Sequence, residues 1–443
     1  MSTQAKTSDS QKLSRTDLFS MAIGQIIGVG VMTMTGMAIG FTGRSVPFSY
    51  IIAGVLTIFA AIPVIFIGGT ANFLGGQYSQ IAVLSGQRWA GIYTYVNLCM
   101  LFATTMYTLS FADYFLSLFP GISPKVIGLI VLTFLYAMHL TGIKQAARLQ
   151  NVMSIVLAVA IACYVVFGLG AIEPNYFDPE QFMTGGISGF LLASVYLTFA
   201  AGGATYVVNY SSQAKNPTKD IPTVIIVSTA AIVILYAVMS FIAAGVLPVA
   251  QVANQPLSVS AVEFMPQAVY TFFVVGGAMF ALLTTLNFSI GMMVYPALRA
   301  CSDGWLPKGL AQTNKRFGTP HWILLIFYAV GVIPLMIGLD MTTVANSTVI
   351  ITKICAAIVI FSAMQLPKKM PDLWGRSRFH VSNGTLNVLC LIALLITVLS
   401  TVLLLVTSST AQLIGNLTMF IVSVILMLIR NKYVHLNPSY TET

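Results

Sequence analysis

From Leu18 to Ile429, polar and Pro/Gly-rich punctuation divides the chain into apolar runs of roughly 20 residues, the helical length that crosses a hydrocarbon layer about 30 Å thick. In lipid every backbone N–H and C=O needs an internal partner, so such runs are read as helices. Barrel strands are excluded, because they alternate over segments of about 10 residues. Composition agrees, with 57% of the 443 residues hydrophobic and 7% charged, against about 25% charged in soluble domains. Met1 to Arg15 is polar and lacks the short apolar core of a cleavable signal peptide, so the first run is expected to be a span itself.

Twelve spans are expected. The first five are Leu18–Gly40, Phe48–Gly69, Gly91–Phe119, Pro124–Thr141 and Leu149–Ile172. The next five are Ile187–Ser211, Pro222–Leu247, Ala268–Leu298, Trp322–Leu339 and Thr342–Leu366, followed by Leu386–Val406 and Ala411–Ile429. With the N-terminus inside, 18 of the 21 Lys and Arg residues fall on inner segments. Arg44 and Lys125 fall outside, and Lys353 lies within a span. Cytoplasmic loops carry such an excess, so both termini are expected in the cytoplasm and the net charge of +9 expresses topology. No nucleic-acid partner is implied. The basic linker from Pro367 to His380 separates ten spans from the last two.

Glu173, Asp178 and Glu180 read as a solvated outer loop. The five cysteines, Cys99, Cys163, Cys301, Cys355 and Cys390, stand singly in or beside apolar runs and read as packing residues. No cofactor motif and no metal-ligand pair is found, and an intramembrane enzyme would need clustered His, Asp, Cys or Ser at one depth.

Two interruptions carry the functional signal. Gly28 and Gly30 lie mid-membrane in span one, and Ala200-Ala201-Gly202-Gly203-Ala204 lies mid-membrane in span six. Alone, each is also compatible with close packing through small residues. At matching positions in two five-helix halves, they point to a transporter site between repeats of opposite topology. Unwound backbone is tolerated at that depth only where it faces a cavity or ligand. Half-helix N-termini attract an anion and half-helix C-termini a cation, so a zwitterion fits without charged side chains.

The same residues resemble the amino acid–polyamine–organocation (APC) superfamily. Gly24 to Met32 is similar to its span-one glycine signature. Gly75-Gly76-Gln77-Tyr78, Thr141 to Asn151, Lys215 to Pro222, and Arg299 to Pro307 with Gly318-Thr319-Pro320 follow in the family's order. The resemblance implies an all-α polytopic membrane protein of 12 transmembrane helices, a LeuT-type five-plus-five inverted repeat with two added C-terminal helices. Its expected segments are a cytosolic tail (1–16), the first repeat (17–172), the inverted second repeat (187–366), the added pair (384–430) and a second cytosolic tail (431–443). It also implies that the backbone of Ile27, Gly28, Val29 and Gly30 meets a substrate carboxylate. Phe199, Ala200, Gly202 and Gly203 would lie at the amino group, with Phe199 as aromatic gate. Thr104, Thr105, Asn287 and Ser289 are candidate side-chain contacts.

Three departures bear on coupling. Val64 to Gly68 lacks the acidic residue that many relatives have near the end of span two, and Gln213 replaces the Glu usual before Lys215-Asn216-Pro217. Leu157 aligns with a lysine of some proton-coupled relatives. That lysine's ammonium can occupy the place of a sodium ion, so the candidate ion-coupling set is Gly24, Thr284, Thr285, Leu157 and Lys353, with sodium expected at the two threonines if it is used. Uncoupled exchange, with the threonines merely bonding back along their helix, stays open. Asp113 reads as an interfacial residue reaching water and His139 as an interfacial residue.

The expected function is a secondary active permease or exchanger of small neutral amino acids in the cell membrane. An exchanger of amines, polyamines or another nitrogenous metabolite is the alternative, although a dication would call for a carboxylate. A channel is compatible with the paired interruptions.

Overall fold

The computed structural model describes residues 12–338, 341–437 and 439–442, with backbone only at Val29, Thr33, Ser117, 341–346, Thr407 and Ala411. Most of the expected N-terminal tail therefore lies outside the described residues, as does the side chain of Asn346.

Helices α1 (Arg15–Ile26) and α2 (Val29–Thr42) share the first apolar run and are separated by Ile27 and Gly28. Ser14 caps α1 reciprocally: its hydroxyl accepts from the Asp17 N–H at 3.2 Å, while the Asp17 carboxylate accepts from the Ser14 N–H at 2.9 Å. Beyond a 3₁₀ turn at Gly43–Ser45 run α3 (Val46–Thr70), α4 (Gly76–Leu84), α5 (Gln87–Cys99), α6 (Ala103–Leu118) and α7 (Pro124–Leu140). Next are α8 (Ile143–Leu169), the one-turn α9 (Pro179–Phe182) and α10 (Gly186–Ala201), which ends at Gly202-Gly203 before a 3₁₀ stretch, Ala204–Gln213.

The second half holds α11 (Pro217–Gly245), the outer helices α12 (Val249–Val252) and α13 (Leu257–Phe264), and α14 (Gln267–Phe272). A π-helical stretch, Phe273–Met279, joins α14 to α15 (Phe280–Met292), which is followed by α16 (Val294–Asp303), α17 (His321–Ile337) and α18 (Met341–Ala363). Short α19 (Leu366–Lys369) and α20 (Pro371–Arg376) occupy the basic linker before α21 (Asn383–Thr407) and α22 (Thr410–Arg430). Pro124 and Pro217 start their helices, where a missing N–H costs nothing.

Among the described residues, eight helical runs are long and apolar enough to cross a membrane, and three shorter apolar helices accompany them. Burial ranks them. In the 18-residue apolar stretch of Gln87–Leu116, 78% of the residues are buried inside the protein, against 22% in those of Asn383–Val406 and Gln412–Tyr433. Helices α5 and α6 thus form the centre, while α21 packs on α3 and α18 and α22 on α5 and α18 at the periphery. Large apolar side chains such as Val166, Ile187, Leu395 and Val406 point outward, as a lipid-facing surface requires.

The all-helical expectation needs one amendment on the inner face. Asn72–Phe73 (β1) pairs antiparallel with Tyr440–Thr441 (β2). The tail that carries β2 also accepts at the Asn437 carbonyl from Arg299, 2.6 Å away, and donates from the His435 N–H to the Asp303 carbonyl at 3.1 Å. The outer acidic loop needs another, since Glu173 forms an ion pair with the fully buried Arg44. Arg44 further donates to the carbonyls of Ala244 at 3.0 Å and Asn175 at 2.8 Å, so this stretch is fastened to the helix ends rather than freely solvated.

Candidate functional site

Span one leaves helical geometry where the sequence places its glycines. The Ile27 N–H makes the last bond of α1, to the Ile23 carbonyl at 2.8 Å, and the chain turns through Ile27 (ψ 100°) and Gly28 (ψ −141°) before α2 begins. The first N–H groups of this 14-residue helix, at Val29 and Gly30, have no carbonyl partner within it. The side chain of Val29 lies outside the described residues.

Span six breaks through Gly202 (ψ 177°) and Gly203, whose φ of 112° suits glycine alone. The two breaks touch. A Cβ on Gly30 would lie 2.8 Å from the Ala200 Cα, and one on Gly203 would lie 2.9 Å from the Gln25 Cγ. The N-terminal end of α2 therefore abuts the C-terminal end of α10, positive helix pole against negative. Phe199 is half-buried beside this junction and its carbonyl accepts from the Gly202 N–H at 3.2 Å.

Hydroxyls from outside the breaks hold the last turn of α1. Thr284 donates to the Gly24 carbonyl at 3.2 Å or to its own helix at Ala281, 2.8 Å away. Thr285 has three carbonyls in reach: Gly24 at 2.8 Å, Ala281 at 3.0 Å and Ile27 at 3.2 Å. Tyr236 of α11 donates to the Ile26 carbonyl at 3.0 Å. A Cβ on Gly28 would sit 2.6 Å from the Thr285 Oγ1, so this glycine admits the threonine. Ser289 reaches Gln25 at 3.4 Å.

Other candidates face elsewhere. Thr104 donates to the Leu101 carbonyl at 2.6 Å and Thr105 to the Gly331 carbonyl of α17 at 2.8 Å, because α6 buries that face against α17. Asn287 donates to Gln150 at 2.8 Å and to the Ala146 carbonyl at 3.2 Å, toward α8 rather than the breaks. Leu157 is fully buried in the apolar core, and the α8 side chain at Gly24 is that of Gln150, whose Nε2 a Gly24 Cβ would overlap. Lys353 is half-buried on α18. His139 is buried, its Nε2 3.0 Å from the Asn287 carbonyl, and Asp113 is exposed.

Gln150, Gln25 and Tyr236 were missed as contacts of the broken helix. Gln150 stands in the polar Lys144–Asn151 stretch, where its neighbours mask it, and nothing local singles out Tyr236 among the aromatic residues of its span. At the first turn of α1, burial raises the Asp17 carboxyl pKa, but the Ser14 N–H and hydroxyl, Asn151 and Lys144 outweigh it and hold the pKa down at about 2. Among the described residues, no group of three or more His, Cys, Asp or Glu is placed to hold a metal ion.

Apolar helices enclosing two interrupted ones define a multi-pass membrane protein. The chain belongs to the amino acid permease family, within the APC superfamily, and the match covers residues 13–429. It is 25% identical over 401 residues to the methylthioribose transporter of Bacillus subtilis, covering 84% of this chain and 86% of that one. It is likewise 25% identical over 399 residues to the branched-chain amino acid permease of Bacillus subtilis, covering 84% of each. With the serine/threonine exchanger of the same organism the identity is 25% over 325 residues, 70% of this chain and 72% of the relative.

Proposed function

We propose that the chain is a secondary transporter of small neutral amino acids, working by alternating access around the paired breaks. The observation that carries this reading is the Gly30–Ala200 junction, where the N-terminal pole of α2 meets the C-terminal pole of α10. Separating the two ends exposes backbone N–H groups to a carboxylate and backbone carbonyls to an ammonium. The residues described at the junction, Gly28, Gly30, Phe199, Ala200, Gly202, Gly203 and Gln25, carry no charge, which favours a substrate whose own charges cancel.

On this reading twelve spans form two inverted five-helix repeats and an added pair, with both termini on the cytosolic side of the cell membrane. Helices α1, α2, α3, α10 and α11 pack together and would rock against the others. Transport is read as exchange or facilitated passage, with the Thr284 and Thr285 hydroxyls in reach of backbone carbonyls. A second reading is a neutral thiosugar or other uncharged metabolite, favoured by the similarity to a methylthioribose transporter.

A thermal-shift screen of the purified protein against the proteinogenic amino acids, common amines and methylthioribose tests both, because a ligand that binds only the folded state raises the melting temperature. Small neutral amino acids should shift it. A shift by methylthioribose alone selects the second reading, and a shift by polyamines alone rejects both.

A further inference from the structure

Between the central helices and the peripheral pair lies a cavity of about 220 Å³, lined by α5, α18, α21 and α22 and remote from both breaks. Val96, Ile350 and Ile354 form its inner wall, and Leu405, Leu417 and Phe420, all on the outward surface, mark its rim. It exceeds the apolar cavity of about 150 Å³ that stays dry and admits benzene. It is smaller than the roughly 300–1,000 Å³ of sites for drug-sized ligands.

Asn416, Ser423 and Cys99 bring polar atoms to this largely apolar space, and of the three only Asn416 lacks a partner among the described residues. Asn416 is 8% exposed, and neither end of its carboxamide has a hydrogen-bond partner among the described residues. Its neighbour Ser423 is satisfied, donating to the Met419 carbonyl at 2.8 Å. A buried amide with no hydrogen-bond partner destabilises the fold. Water is a poor remedy, because a buried water needs two to four polar partners and the rest of the wall is almost wholly apolar. Asn416 stands six residues into α22, about 9 Å along its axis, too deep for a charged headgroup, and no charged residue lines the cavity.

We infer that this cavity is a binding site for a neutral single-chain lipid of the monoacylglycerol class. The ligand's ester carbonyl accepts from the Asn416 Nδ2, its glycerol hydroxyl donates to the Oδ1, and its chain lies against Val96, Ile350 and Ile354. One molecule thus supplies the acceptor, the donor and the apolar bulk that the site lacks. The volume takes part of one chain and leaves no room for a second, and the rest of the chain leaves past Leu417 and Phe420 at the rim.

The test uses the full-length protein in nanodiscs and a monoacylglycerol with a diazirine in its acyl chain, irradiated and mapped by peptide mass. Label is expected on Val96, Ile350 or Ile354, which bulk lipid does not reach, and excess unlabelled monoacylglycerol should compete it away. Asn416→Leu and the cavity-filling Ile354→Trp should each cut that label about tenfold, as loss of one or two buried hydrogen bonds or of the space would. Of the residues lining the cavity, a diacyl phosphatidylglycerol with the same diazirine should mark only those at the rim, chiefly Leu417 and Phe420. Monoacylglycerol label confined to those two residues, absence of competition in the wild type, undiminished label in a folded Asn416→Leu, or equal inner-wall label from phosphatidylglycerol each overturns the inference. None of these readouts depends on transport.

Discussion

The Thr285 hydroxyl lies 2.8 Å from the Gly24 carbonyl and 3.2 Å from the Ile27 carbonyl, so one side chain of α15 grips the last turn before the span-one break. Its single hydrogen serves one of these at a time. Thr285→Val keeps the shape and removes the grip, and should lower stability by about 1 kcal/mol and uptake by more than it lowers the amount of folded protein. Replacing sodium by choline should leave proteoliposome exchange unchanged. Uptake that needs sodium, and loses that need in Thr285→Val, would establish a cation at these oxygens and overturn the exchange reading.

Gly30 has no room for a side chain. Its Cβ would lie 2.8 Å from the Ala200 Cα, a backbone atom that cannot swing aside. Gly30→Ala should abolish most uptake and Gly30→Leu all of it, at an overpacking cost of about 1–3 kcal/mol that still leaves protein in the membrane. Gly309, with nothing within 4 Å of a Cβ, is the matched control. Equal uptake by Gly30→Ala and Gly309→Ala would remove the support for a site at the breaks.

Selectivity should follow charge. An excess of unlabelled serine or alanine should suppress uptake of a labelled neutral amino acid, and the same excess of arginine or glutamate should not, since an unpaired charge at the junction costs about 3 kcal/mol or more. Arginine competing as well as alanine would contradict a neutral pocket.

The polar cluster around Asp17 makes a prediction in pH. Its carboxyl is held at about 2, below its ordinary value of 3.8, so the cluster stabilises the folded protein fully above pH ~4 and less as pH falls through about 2. The melting-temperature difference between wild type and Asp17→Asn should be constant from pH 8 to about 5 and shrink on further acidification. A difference that grows toward low pH would show that the carboxylate is not held by these donors.

The two breaks were legible because their cause is local: Gly28, Gly30, Gly202 and Gly203 lie in the segments that interrupt their helices. Thr284 and Thr285 were also legible as a pair beside the Gly24 carbonyl, from order along the chain and the family likeness. What could not be read is which face each helix turns inward. Thr104 and Thr105 sit at a plausible depth, yet rotation of α6 commits them to α17. Leu157 and Gln150 are two helical turns apart on α8, and only the packed bundle shows which of them meets Gly24. Arg44 looked like an outer loop residue, but its partners at Glu173, Asn175 and Ala244 come from more than 120 positions away.

The pairing of β1 with β2 has a consequence for biogenesis. Asn72 meets Thr441 across 369 residues of sequence. At ~5–20 residues per second, the ribosome needs about 20–70 s after releasing the first strand to supply the second. Over that interval the helices enter the bilayer while the inner end of α3 waits with its edge unpaired. Closure of this face is thereby tied to residues made 369 positions later, and a chain arrested before Ser439 would carry its helices and still lack the strand that pairs with Asn72–Phe73.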